Sequence, residues 1–298
     1  MLDCLFIGST TKDTLLMVEA PPASDQRIAA SAVAHACGGV ASVAASAFQK
    51  LGGSAGLITA VGDPSEVTDF IAANIAARQL PYTDLIRVPG ADSPFSMIQV
   101  EVSGKRCIPH FGGCIRQLAL DMLDKSALAD AKMIHLGGLE EHFCGELAAY
   151  CKQNTDALVS VDGGNLSREA TDWMLPYVDV FIPDDKTVAK TLGCVPEEAC
   201  RYYAEKGVRI SCVTMGDKGA VAYADGAFHY AAPVRVSVVD TTGAGDNFHG
   251  AFLYCLTQGW DLRRTLRFCN AFSGLTCQGL GGLAAEPTLE ETLQKMEE

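Results

Sequence analysis

Short apolar runs and helix-period stretches alternate along most of the chain. Residues 2–7 form an apolar run, interrupted only by Asp3 and ending at Gly8, the pattern of a strand buried on both faces. Residues 40–51, mostly small and apolar, are opened by Gly38-Gly39 and closed by Gly52-Gly53, which predicts a helix. A strand over 55–61 and a helix over 66–78 follow. The same order returns with strands at 133–136, 158–161 and 178–182, trailed by helical patterns at 142–153, 168–175 and 187–192. Residues 210–214 predict one more core strand. This alternation predicts an α/β fold: a central, mostly parallel sheet with helices on both faces, in a single domain over residues 1–298.

Two segments depart from the alternation. Residues 14–18 with 27–34, and 95–102 with 106–110, show period-two patterning, and Gly104-Lys105 suits a hairpin turn between the second pair. Strands inserted at about 14–36 and 94–111 would form a small antiparallel sheet over the ligand edge of the main domain. Such a sheet serves as a lid, or as the surface of a homodimer. The same pattern also fits ordinary edge strands. A later hairpin is predicted from residues 220–223 and 228–231, turned through Asp225-Gly226.

Residues 234–239 alternate β-branched and polar positions and predict a strand. Phe248, Ala251, Phe252 and Cys255 then recur at helical spacing, with Gly259 where a helix would stop. Between them lies Asp240-Thr-Thr-Gly-Ala-Gly-Asp246. The first turn of a helix has N–H groups without intrahelical partners, at the positive end of the dipole. Gly243 and Gly245 leave an anion free to approach them. Asp246 would repel that anion unless it acts on the anion's reaction partner. A carboxylate there can take a proton from a hydroxyl while the amides hold a phosphoryl group in line. A helix-start Asp after a glycine turn also arises for purely structural reasons. The chain has no Walker loop, and as a dinucleotide fingerprint the turn is poor, because Phe248 stands at the third glycine position.

Composition narrows the partners. A formal charge of −13 over 298 residues argues against nucleic acid or an anionic membrane as the main ligand, and no long apolar span suggests a membrane helix. The 12 cysteines are scattered without a Cys-x-x-Cys pair, so they are expected as buried thiols in a reducing cytoplasm rather than a disulfide framework.

Four stretches occur in a characteristic order. Gly8-Ser-Thr-Thr-Lys-Asp13 follows the opening strand. Gly38-Gly39 leads through Leu51-Gly52 to Val61-Gly62-Asp63. Thr214-Met-Gly216-Asp-Lys218-Gly219 follows the strand at 210–214, and Asp240-Thr-Thr-Gly-Ala-Gly-Asp-Asn-Phe-His-Gly-Ala-Phe252 completes the set. Together they resemble the ribokinase-like carbohydrate kinase family, also called the phosphofructokinase-B family, over essentially the whole chain. The resemblance implies a ribokinase-like fold and phosphoryl transfer from ATP to a hydroxyl of a sugar or sugar derivative. Asp246 would be the catalytic base, with Gly243, Ala244 and Gly245 as the anion hole. Thr214, Gly216, Lys218 and Gly219 would line the nucleotide, with Asn270 near the purine. Asp13, Gly38 and Gly39 would hold sugar hydroxyls. The resemblance further implies magnesium, and a monovalent cation such as K+ held near Asp240, Thr242 and the 281–285 loop.

Two departures stand out. The family's usual Asn, five residues after the first glycine of the pair, is Val43 here, so a sugar hydroxyl contact is missing or replaced. The family's Asn-x-x-Glu segment, tied to magnesium and phosphate, is Asp184-Asp185-Lys186-Thr187, in which Asp184 and Asp185 keep oxygens suited to Mg2+. Among lid residues, Arg27, Arg106 and Arg116 could grip an anionic sugar or serve as solvated edge charges. Arg27 and His110 join the substrate-side candidates. Asp162, ending a predicted strand, faces the phosphates or caps its own turn. The competing functions are a sugar-binding member of the fold with weakened catalysis and a dinucleotide-dependent oxidoreductase.

Overall fold

The computed structural model describes residues 1–101 and 105–298. In chain order the strands are β1 (Cys4–Gly8), β2 (Thr11–Val18), β3 (Ala32–Gly38), β4 (Ala55–Val61), β5 (Tyr82–Arg87), β6 (Phe95–Glu101), β7 (Arg106–Cys107), β8 (His110–Phe111), β9 (Met133–Gly137), β10 (Leu158–Asp162), β11 (Val180–Ile182), β12 (Ile210–Thr214), β13 (Ala220–Ala224) and β14 (Ala227–Ala231). The helices are α1 (Val40–Lys50), α2 (Glu66–Ala77), α3 (Lys125–Ala129), α4 (Glu141–Asn154), α5 (Arg168–Met174), α6 (Asp185–Thr191), α7 (Pro196–Glu205), α8 (Ala244–Thr257), α9 (Leu262–Thr276) and α10 (Leu289–Glu297).

The main sheet runs β14-β13-β12-β11-β10-β9-β1-β4-β5. It is parallel from β12 to β5, with the β13–β14 hairpin antiparallel at one edge. Residues in the central strands are apolar on both faces because both faces are covered. Phe6, Leu57 and Val180 pack against α1, α2, α8 and α9 on one side, and Ile7, Leu136 and Val161 against α4, α5 and α7 on the other. Where α1 and α8 cross, a Cβ on Gly250 would meet the Ala44 carbonyl and lie 2.7 Å from Ala47 Cβ. That close approach brings the start of α8 beside Gly38-Gly39 at the start of α1.

The second sheet is the lid, in order β3-β2-β6-β7 with β8 also on β6. Its pairings are antiparallel except for β2 on β6, which is parallel. Alternation sorts its faces: Asp13 and Leu15 of β2 turn inward with Ser96, Ile98 and Val100 of β6, while Phe95 and Met97 are exposed.

Several expectations are corrected. The strand expected over 27–34 is β3, starting at Ala32, because β2 ends at Val18 and offers residues 19–31 no pairing partner beyond the Ser31 N–H bond to Met17 O. Residues 234–239 form no strand. That segment crosses α9 instead, Val234 and Val236 packing over Gly274, which holds it there while Val238 and Val239 stay exposed. The half-buried edge strand β5 and helix α7 add to the predicted elements. The hairpin turn at Gly104-Lys105 falls partly on Gly104, outside the described residues. All 12 cysteines are free thiols, ten of them buried, and no helix among the described residues is long and apolar enough to cross a membrane.

Candidate active site

The turn before α8 is shaped by one residue on each side. Gly243 adopts φ 73°, and a Cβ there would lie 2.7 Å from Gly282 Cα, so only glycine fits. Asp240, 1% exposed, ties the turn down: its Oδ1 accepts from the Thr242 N–H at 2.9 Å and the Thr242 hydroxyl at 2.8 Å, and its Oδ2 accepts from the Gly281 N–H at 2.9 Å. Asn247 Nδ2 adds bonds to the Gly243 and Gly282 carbonyls at 2.9 and 2.8 Å. The Ala244 N–H donates to Thr241 O at 3.2 Å. Among the described residues this leaves the amides of Gly243 and Gly245 without acceptors, as an anion site requires. Nothing lies within 4 Å of a Cβ built on Gly245, so the turn opens to solvent.

Asp246 sits in the first turn of α8, crowded by protein yet reached by solvent. Burial pushes its carboxyl up to about 8, the Asp162 and Asp13 charges add to the rise, and Arg106 opposes it. Asp162, at the end of β10, caps its own turn, its Oδ1 accepting the Gly164 N–H at 2.7 Å, and its charge reaches Asp246. His249, one turn after Asp246, places Nε2 3.8 Å from Asp162 Oδ1, and burial holds its pKa low.

Asp13 is 6% exposed on the inner face of β2, and Thr11 Oγ1 donates to its Oδ1 at 2.7 Å. Burial raises its carboxyl to about 6 against the pull of Thr11 and Ser96. Ser96 Oγ in turn lies 3.2 Å from His110 Nδ1, so Asp13, Ser96 and His110 form one polar row across β2, β6 and β8. A Cβ on Gly38 would fall inside the Asp13 carboxylate, and Gly39, at φ 99°, would meet the Ser9 carbonyl. Both glycines are therefore required where the lid joins α1. Arg78, absent from the sequence-based candidates, holds that junction through Nη2 to Cys37 O at 3.0 Å and Nη1 to Ser42 O at 2.8 Å. Arg27 is exposed outside the lid strands, with no contact to this row. The lid cation that reaches the turn is Arg106, whose Nη1 donates to Thr241 Oγ1 at 2.6 Å.

On the far side, Thr214 ends β12 and bridges to Asp184. Gly216 (φ 56°), Lys218 and Gly219 (φ 88°) make the following turn, and a Cβ on Gly219 would strike the Ala231 carbonyl. Asn270 spends its Nδ2 on the Ala231 and Ala232 carbonyls, both at 3.0 Å, so it shapes this wall rather than offering that amide to a base. Grooves of about 430 and 610 Å3 run along the 230–237 segment, the larger lined by Ala231 and Pro233, which abut Gly219. Asp184 uses Oδ1 to cap α6 through the Thr187 N–H at 2.6 Å, with Asp185 next to it. No group of three or more His, Cys, Asp or Glu among the described residues could cage a metal. The donors present fit a Mg2+ that keeps waters and phosphate oxygens and takes one or two carboxylates.

A family model, pfkB family carbohydrate kinase, matches residues 1–289. The chain belongs to that family. It is 25% identical over 302 residues to the ribokinase of Staphylococcus aureus (strain COL), covering 97% of this chain and 98% of the relative. It is 26% identical to the deoxyribokinase of Salmonella typhi, with 97% of each covered. The solved Arabidopsis thaliana ribokinase, complexed with ribose and ATP, shares the fold at a TM-score of 0.82 and 19% identity, covering 100% of this chain and 99% of that one. The chain is thus a carbohydrate kinase of ribokinase-like fold, a sugar or nucleoside kinase whose general reaction is ATP-dependent phosphorylation.

Proposed function

We propose that this kinase moves the γ-phosphoryl group of ATP to a primary hydroxyl of a pentose-type sugar or sugar derivative, with Asp246 as general base. The observation that carries the reading is the pairing, in one helical turn, of a solvent-reached carboxylate with unpartnered glycine amides. The acceptor lies under the lid against Asp13, Gly38, Gly39 and His110, its reacting hydroxyl toward Asp246. Nucleotide lies along Thr214, Gly216, Lys218 and Gly219, with Asn270 behind. As the hydroxyl attacks, its proton passes to Asp246, and charge on the transferring oxygens meets the Gly243 and Gly245 amides and Arg106. Asp184 and Asp185 would hold a magnesium ion together with phosphate oxygens and waters, and that ion would supply neutralisation of phosphate charge. A K+ ion would be held by carbonyls near Asp240 and Thr242 and by the 281–285 loop, segments that the Asp240 hydrogen bonds to Thr242 and Gly281 draw together. Incubation with ATP, Mg2+ and a panel of pentoses, ketohexoses and nucleosides is expected to give acceptor-dependent ADP release; release independent of every acceptor would defeat the proposal.

The lid supports a second element. Val33, Phe95, Met97, Ile108 and Phe111 are exposed on it, an apolar patch suited to a second copy of the chain. A homodimer through the lid strands is expected, and Met97→Asp should give monomers in sedimentation velocity. A wild-type monomer at micromolar concentration would remove this element.

A further inference from the structure

Helix α2 holds the lid from both of its ends, at a single rung of the β2–β3 ladder. In that rung Lys12 stands opposite Cys37, and Asp13 follows on the same strand. From the first turn of α2, Glu66 Oε1 accepts from Lys12 Nζ at 2.5 Å, with the Phe70 ring centroid 5.3 Å from the ammonium. From the other end, Arg78 caps the helix and sends its guanidinium across to the lid joint. Nη2 donates to Cys37 O at 3.0 Å and Nη1 to Ser42 O at 2.8 Å. One carbonyl belongs to the lid strand β3 and the other to the first turn of α1, so the fork spans Gly38-Gly39.

The two ties differ in kind. Glu66 is 88% exposed, so water and salt weaken its pairing with Lys12. Arg78 is largely enclosed, and the Glu286 charge reaches it only through space. A desolvated guanidinium destabilises the fold unless its hydrogens find acceptors. Here the planar fork both finds them and fixes the separation of two carbonyls, which the compact ammonium of a lysine has no rigid fork to do. The residues it spans cannot fix themselves: Gly38 and Gly39 have no side chains, and Gly39 stands at φ 99°. Ser42 Oγ donates to Gly38 O at 2.5 Å, and the carbonyl of that same Ser42 is held by Arg78. We infer that Arg78 is a positioning residue of this kinase, fixing the angle between lid and body so that the Asp13 row and the Gly38-Gly39 backbone are set before the acceptor arrives. This inference rests on the acceptor placement proposed above and assigns a role to a side chain that touches neither substrate. A joint that the acceptor must order on binding weakens affinity. The groups it governs hold the acceptor away from the transferred phosphoryl, so the loss falls on the acceptor KM and not on kcat.

The test measures ADP release by Arg78→Ala and Arg78→Lys, with the KM for ATP and for the acceptor that the wild-type enzyme uses best determined separately. The acceptor KM is expected to rise about 10- to 100-fold in both, the scale of a displacement near 1 Å, with kcat and the KM for ATP close to wild type. Arg78→Lys keeps the stem and the charge, so it serves where the alanine variant folds poorly. Methylguanidinium at millimolar concentration should refill the fork and lower the acceptor KM of Arg78→Ala, while leaving the wild-type enzyme unchanged. Glu66→Gln, which loosens only the exposed tie, should raise the acceptor KM far less than Arg78→Lys does. An acceptor KM at the wild-type value in either Arg78 variant overturns the inference and leaves the kinase reading intact. A fall in melting temperature with kcat and both KM values affected alike, and no response to methylguanidinium, overturns it in favour of a purely structural brace. A rise in Glu66→Gln equal to that in Arg78→Lys overturns the assignment to Arg78. Absence of acceptor-dependent ADP release from the wild-type enzyme overturns the kinase reading itself, and is told apart because no variant is needed to see it.

Discussion

Replacing Asp246 by Asn is expected to lower kcat roughly 10²- to 10⁴-fold, the usual range for a lost general base, while nucleotide and acceptor binding change little. Asn preserves shape and cannot accept the hydroxyl proton, so the loss belongs to the chemical step. Folding would not explain it. In the native state the Asp246 carboxyl is raised to about 8, far above its ordinary value of 3.8. A proton is then held more tightly by the folded than by the unfolded chain, so this group costs stability as pH climbs through that window. Asn removes the cost. The D246N protein should therefore melt at or above the wild-type temperature at pH 8, while single-turnover assays show the deficit. Unchanged turnover in that variant would remove Asp246 as the base and with it the proposed mechanism.

The central sheet was legible because its strands are buried on both faces and read as short apolar runs between helical periods. The start of α8 was legible for a different reason: Gly243 meets a local backbone demand that few residues can, and Gly245 leaves the turn open. What sequence could not resolve was set by tertiary partners. Residues 234–239 have strand composition, yet they pack across α9 at Gly274 instead of pairing with a strand. Arg27 and Arg106 were equivalent as charges in period-two segments. Only the fold of the lid over the turn brings Arg106 to Thr241 and leaves Arg27 in solvent. Arg78 gave no signal at all, because its partners are carbonyls 36 and 41 residues away. Asp162 was undecided between two roles, of which the structure shows the cap on the Gly164 N–H.

Arg106 and Asp162 act on Asp246 with opposite charge, which gives a second large effect and a sign to check. Removing a donor aimed at the transferring group costs on the order of 10²–10³ in kcat, and Arg106→Gln is expected to fall in that range. The pH dependence separates its two contributions. In the free enzyme, kcat/KM should rise as Asp246 loses its proton, with the acid limb near the value of about 8 that burial imposes. The Arg106 cation favours the carboxylate, so R106Q moves that limb to higher pH. The Asp162 anion disfavours it, so Asp162→Asn moves the limb to lower pH. The two shifts must be opposite in direction for the same titrating group. A structural lesion in the lid would lower kcat in R106Q without moving the limb, and disruption around β10 would do likewise in D162N. Coincident limbs in all three proteins would mean that the group setting the pH dependence is not the carboxylate at the start of α8.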